Sequence, residues 1–153
     1  MDNDKAISCL NNLIETCRDG QNGFKEAAEN VKTPELKSFF NQISLDRARF
    51  VGELQQEVQR LGGDPEKTGS TAAALHRAWI DIKGKLTGKS DESILSECER
   101  GEDSAVDAYE DALKDKNLPN DIRTIVERQF RNIQQTHDRV KQWRDAKGAT
   151  SGR

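Results

Sequence analysis

Cys98-Glu99-Arg100-Gly101-Glu102-Asp103-Ser104-Ala105-Val106-Asp107-Ala108-Tyr109 decides how the chain folds. It contains no proline. Its small and apolar positions extend a series Ile94, Cys98, Gly101, Ala105, Ala108, Ala112, with steps 4-3-4-3-4, the spacing of a helix that turns one stripe toward a bundle core. A weaker copy stands earlier, at Cys17-Arg18-Asp19-Gly20-Gln21-Asn22-Gly23-Phe24-Lys25-Glu26-Ala27-Ala28. Cys17 and Cys98, Gly20 and Gly101, Ala27 and Ala108, and Glu29 and Glu110 are each 81 positions apart, with Gln21 against Glu102 and Asn22 against Asp103. One fixed offset predicts two related halves, each a helical hairpin that needs the other to bury its apolar face.

Working outward, the first helix is predicted over about 3–31, on the seam Ala6, Leu10, Leu13, Cys17, Gly20, Phe24, Ala27, Val31. Pro34 pushes Thr33 out of the helical region and starts a second helix, about 34–61. Its seam runs Leu36, Phe40, Ile43, Arg47, Phe50, Leu54, Val58, Leu61, and Arg47 is its one foreign member. Gly62-Gly63-Asp64-Pro65 closes that helix. The long connection carries a stripe of its own, Leu75, Trp79, Ile82, Leu86, which predicts a short helix over about 71–87 capped by Ser70 or Thr71. The repeat stretch lies in a helix over about 91–116. After Asn117-Leu118-Pro119 a last helix is predicted over about 120–146, with core face Ile122, Val126, Gln129 or Phe130, Ile133, His137, Val140. Small polar residues 148–153 read as a disordered tail. Links that run short, long, short predict an all-α fold: a ferritin-like antiparallel four-helix bundle with a long crossover carrying a short extra helix, one domain over 1–147.

Composition sets the outer limits. The chain has 153 residues, 33% hydrophobic, 33% charged and 5% aromatic, with a formal charge of −3. So lean a chain folds only if its apolar residues are concentrated on helix stripes, as here. No basic run favours a nucleic-acid partner. No apolar stretch approaches the ~20 residues of a membrane span, and none resembles a signal peptide, so a cytoplasmic location is the expectation. Cys9, Cys17 and Cys98 make no disulfide framework and read as reduced core thiols; a redox pairing of Cys17 with Cys98 is the other reading. The acidic positions Glu97, Glu99, Asp103, Asp107, Glu110 and Asp111 read as a solvated face.

Gly101-Glu102, Ala105 and Tyr109 resemble a ligand-bearing helix of rubrerythrin-like and other ferritin-like proteins. Thr16-Cys17-Arg18-Asp19-Gly20, Arg47-Ala48-Arg49-Phe50-Val51-Gly52-Glu53-Leu54, Leu75-His76-Arg77-Ala78-Trp79, Cys98-Glu99-Arg100-Gly101-Glu102-Asp103 and His137-Asp138-Arg139-Val140 together resemble an uncharacterised bacterial family of ferritin-like four-helix-bundle proteins, over residues from about 5 to 146. That resemblance implies the bundle fold and no assigned activity.

A di-iron bundle takes a Glu from each of two helices and a Glu-x-x-His from each of the other two. Here Glu102 fits its position, Gln21 stands where the first helix would place a carboxylate, and Gln134-x-x-His137 keeps the imidazole without the acid. The second helix offers Ser44-x-x-Arg47 or Asp46-x-x-Arg49, and an arginine has no lone pair for a cation. A replaced metal site is therefore expected: Arg47 paired with Glu102, and Gln21, Gln134 and His137 completing a central polar cluster. The alternative is a weak metal site for iron or another divalent ion at Glu102 and His137. His76, Arg77 and Trp79 are expected to dock the crossover helix. Gly20 and Gly101 are read as points of close helix approach, the other reading being room beside the central site. No nucleophile–base pair or phosphate loop is present in usable context, so the expected function is a non-enzymatic bundle without a cofactor. Stress-associated or interaction roles suit it, with an unidentified protein or a second copy as partner. Its enzyme-class rival is a di-iron oxidase or peroxidase.

Overall fold

A computed structural model describes the backbone of residues 2–65 and 72–151 and the side chains of 3–65 and 76–147. The described residues form five helices and no strands: α1 (Asp2–Asn30), α2 (Pro34–Arg60), α3 (Ala72–Gly84), α4 (Asp91–Lys114) and α5 (Asn120–Ser151). Ser70 and Thr71 lie outside the described residues, as does the side chain of Leu75. The last helix runs to Ser151 rather than ending near 146, so the expected tail is helical from Gly148 to Ser151. Ala146, Lys147 and Ala149 favour helix, and no proline stands there to stop it. No helix among the described residues is long and apolar enough to cross a membrane.

Local chemistry sets the ends. Gly62 sits at φ +84°, its N–H reaching the Gln59 carbonyl while the Gly63 N–H reaches that of Val58, the paired bonds of a Schellman close. Ser90 caps α4 by accepting from the Ser93 N–H at 3.1 Å. Thr33 occupies the cap position of α2, but its side chain does not cap it. Its hydroxyl donates instead to Asp91, which also takes the backbone N–H groups of Lys32 and Thr33.

Directions follow from cross-helix bonds. Asn11 meets the Asp64 carbonyl and Ser44 that of Gln21, so α1 and α2 are antiparallel. Tyr109 meets Gln129 and Asp103 meets His137, so α4 and α5 are antiparallel too. Cys17 meets Tyr109 and Lys32 meets Asp91, setting α4 antiparallel to α1. Arg128 meets Glu53 and Arg60 meets Asp121, setting α5 antiparallel to α2. Thus α2 and α4 run the same way and face each other across the core.

The core has two apolar ends. One gathers Leu10, Leu13, Phe50, Leu54, Tyr109 and Val126; the other gathers Phe24, Phe40, Trp79, Leu86, Ile94 and Cys98. Each such fully buried side chain contributes about 1.5–3 kcal/mol relative to exposure. Arg47 lies between Ile43 and Val51, and Glu102 between Cys98 and Ala105, at the level where the two ends meet.

Candidate functional site

Arg47 and Glu102 are both carried inward by their helix stripes, at 1% and 0% exposure. Arg47 Nη2 donates to Glu102 Oε2 at 2.5 Å. The guanidinium fits because α1 carries glycine opposite it: a β-carbon at Gly20 would lie 2.8 Å from Arg47 Nη1. The Phe24 ring lies 5.7 Å from the guanidinium carbon, close enough for a cation–π contact. Burial works against the arginine's charge, but the charge and hydrogen bond of Glu102 outweigh it and hold the guanidinium more firmly protonated than usual. Arg47 Nε and Nη1 and Glu102 Oε1 are buried with no protein hydrogen-bond partner.

A second polar series adjoins this pair. The Cys17 thiol lies 3.1 Å from the Tyr109 hydroxyl, which donates to Gln129 Oε1 at 2.7 Å; Gln129 Nε2 donates to Glu53 Oε1 at 2.9 Å, and Arg128 reaches Glu53 from the surface at 2.8 Å. The series thereby ties α1 to α4 and α4 to α5 by one bond each, and α5 to α2 by two. Burial pushes the Cys17 thiol up to about 11, against the pull of Arg47 and Tyr109. Burial likewise lifts the Tyr109 phenol and the Cys98 thiol well above their ordinary ranges.

The other expected members of the cluster are elsewhere. Gln134 is exposed. His137 turns to the α4 surface, with Nε2 2.6 Å from Asp103 and Nδ1 3.4 Å from Asp138. The reason is register. The buried stripe of α5 runs Ile122, Val126, Gln129, Ile133, Thr136, Val140 in steps 4-3-4-3-4, which places His137 one position off the seam. Gln21 is half-buried and supplies its backbone carbonyl to Ser44. Tyr109, Gln129 and Glu53 form the neighbouring series instead, and leave Arg47 Nε and Nη1 and Glu102 Oε1 unsatisfied. The signal for them was the polar Gln129 on a mostly apolar stripe.

The glycines serve side chains rather than backbone approach. Gly20 admits Arg47. A β-carbon on Gly23 or on Gly101 would lie 2.2 Å from the Trp79 ring. Trp79 is thereby wedged between α1 and α4, and His76 Nδ1 meets Asp19 Oδ1 at 2.8 Å, while Arg77 is exposed and takes no part in that wedge. Cys17 and Cys98 lie in different apolar ends of the core, which does not favour their redox pairing.

The centre does not fit a pair of metal ions. Two divalent cations in a dry core need several carboxylates, and here one carboxylate already binds a guanidinium that offers no lone pair. Among the described residues no three of His, Cys, Asp and Glu come together in a way that holds a metal.

No curated protein matches this chain. A family model, Domain of unknown function (DUF2383), matches residues 5–115. That stretch takes in nearly all of α1 through α4, including Arg47, Glu102 and the Trp79 wedge, and on this ground the chain belongs to the DUF2383 family.

Proposed function

We propose that this protein is a ferritin-like four-helix bundle in which a guanidinium–carboxylate pair stands where such bundles carry metal, and that it works without catalysing a reaction. Its role on this reading is cytoplasmic and stress-associated, through binding a protein partner or a second copy of itself. The observation that supports the reading is the Arg47–Glu102 pair, bonded at 2.5 Å across the core between α2 and α4. The cation that a carboxylate at this level requires is supplied by the chain. The up-down-down-up order of the long helices, with a helical crossover between the hairpins, is compatible with the ferritin-like arrangement.

Anaerobic loading with ferrous iron, desalting and metal analysis test it. The expected result is no stoichiometric iron and no oxygen-dependent ferric absorbance. About two iron atoms per chain, oxidised on admitting air, would establish the di-iron oxidase or peroxidase instead. Light scattering across a concentration series then distinguishes a self-associating protein from one that needs a different partner.

A further inference from the structure

The bundle uses one face of α2. Leu36, Phe40, Arg47 and Leu54 point from it into the core. Its outer flank carries a second stripe, Asn41, Leu45, Ala48, Gly52, Gln55 and Gln59, again in steps of four and three. Every member is exposed or half-exposed, and none is charged. The exposed sides of the other helices are built differently. Asp103, Asp107, Glu110 and Asp111 stand out from α4, and Arg131, Asp138, Lys141 and Asp145 from α5.

Two members of the stripe have no use within the chain. Leu45 is 65% exposed, the more exposed of the two large apolar side chains left in water among the described residues. Gly52 weakens a helix interior, where alanine would strengthen it. Gly20, Gly23 and Gly101 are each required by a side chain that a β-carbon would strike, whereas a β-carbon on Gly52 would meet nothing within 4 Å. The stripe thus offers a knob and a hole, seven residues or about 10.5 Å apart on one helix.

We infer that two copies of this chain pair through α2, antiparallel about a twofold axis that passes between Ala48 and Arg49. The proposed role in binding a protein or a second copy underlies this inference, which selects the second copy. A twofold contact must be complementary to itself. About this axis Leu45 of each copy seats over Gly52 of the other, a knob in a hole. Ala48 lets the two helices approach at the centre. The charges match as well. Arg49, exposed and bonded to its own Asp46 at 2.6 Å, comes beside the same pair of the second copy, so that four charges alternate in sign. One helix laid on another buries less than a standard interface, below about 1,200 Å² in total. The dimer is therefore weak, with a Kd on the order of 10–100 µM.

Sedimentation velocity of the full chain from about 1 to about 500 µM spans that range. Run in reducing buffer, it should show monomer passing to dimer as concentration rises. Leu45→Glu puts two carboxylates into the contact and should raise the Kd at least about tenfold. Gly52→Leu fills the hole and should do the same, while keeping or raising the urea midpoint of the monomer, which separates lost pairing from lost folding. The axis has its own test. With oxidised glutathione, Ala48→Cys should cross-link to itself, whereas two copies of Asn41→Cys stand about 22 Å apart and should not. A wild-type chain that stays monomeric throughout overturns the inference and leaves the metal-free reading to the iron experiment. A dimer that survives both Leu45→Glu and Gly52→Leu overturns the surface. Equal cross-linking at Ala48→Cys and Asn41→Cys overturns the antiparallel pairing.

Discussion

Replacing Glu102 by alanine removes the anion bonded to a guanidinium at 1% exposure. Solvent screening, which reduces surface pairs to about 0–1 kcal/mol, is absent at this depth. What remains after the substitution is a buried guanidinium, charged by its own nature, with the Phe24 ring beside it. Breaking a buried pair from one side costs about 3–5 kcal/mol. Three atoms of the pair have no hydrogen-bond partner, so its own attraction only partly offsets the desolvation of both ions, and the lower half of that range is expected. Set against the roughly 5–15 kcal/mol stability of an ordinary domain, this is a large loss. Urea unfolding followed by far-UV circular dichroism measures it, provided the slope with denaturant is unchanged. The companion variant is Arg47→Met with Glu102→Leu, which removes both charges and keeps the volume. Its stability should lie within about 1 kcal/mol of the wild type or above it. A loss below about 1 kcal/mol for Glu102→Ala, the scale of an exposed pair, would refute the assignment.

Tyr109→Phe strips Gln129 Oε1 and the Cys17 thiol of a partner and should cost about 1–3 kcal/mol by the same urea assay. Gly101→Ala places a methyl 2.2 Å from the Trp79 ring; the clash, about 1–3 kcal/mol, exceeds the roughly 1 kcal/mol gained in helix propensity, and the near-UV tryptophan signal should weaken. Burial opposes charge on His137, but its bonds to Asp103 and Asp138 prevail and raise its pKa. Its contribution is therefore complete below the unfolded histidine's range and fades as pH rises through the folded value, and His137→Gln should flatten that slope by under about 1 kcal/mol. Cys17, lifted to about 11 and fully buried, should resist iodoacetamide at neutral pH until urea unfolds the chain.

What the sequence made legible was whatever obeyed helix period. Arg47 stood on a 4-3 stripe as its one foreign member, whereas Glu102, one position off the Gly101 seam, was marked only by its likeness to a ligand-bearing helix; the two, 55 positions apart, are bonded in the core. The α5 members were misplaced because its stripe carries Gln129 and Thr136. A periodicity reading that favours apolar or ligand-like residues leaves Gln129 and Phe130 both open and prefers His137 to Thr136, one position along. Gly23 drew no notice, since a helix-interior glycine has no local meaning; its purpose is an indole arriving from a helix more than 50 residues away. The polar series from Cys17 to Glu53 was hidden for a similar reason, because each bond joins two helices and no single stripe contains it.

The family match stops at residue 115, in the turn before α5. Yet α5 supplies Ile122, Val126, Gln129, Ile133 and Val140, all at 0% exposure, and Lys147 near its end reaches back 2.8 Å to Thr33 at the opposite corner. A polypeptide trimmed to the matched boundary would therefore leave one whole side of the interior wet and its tyrosine hydroxyl without an acceptor. Cloning by the family limits alone invites a loosely collapsed, dye-binding product, and the workable minimal fragment is one that keeps the fifth helix.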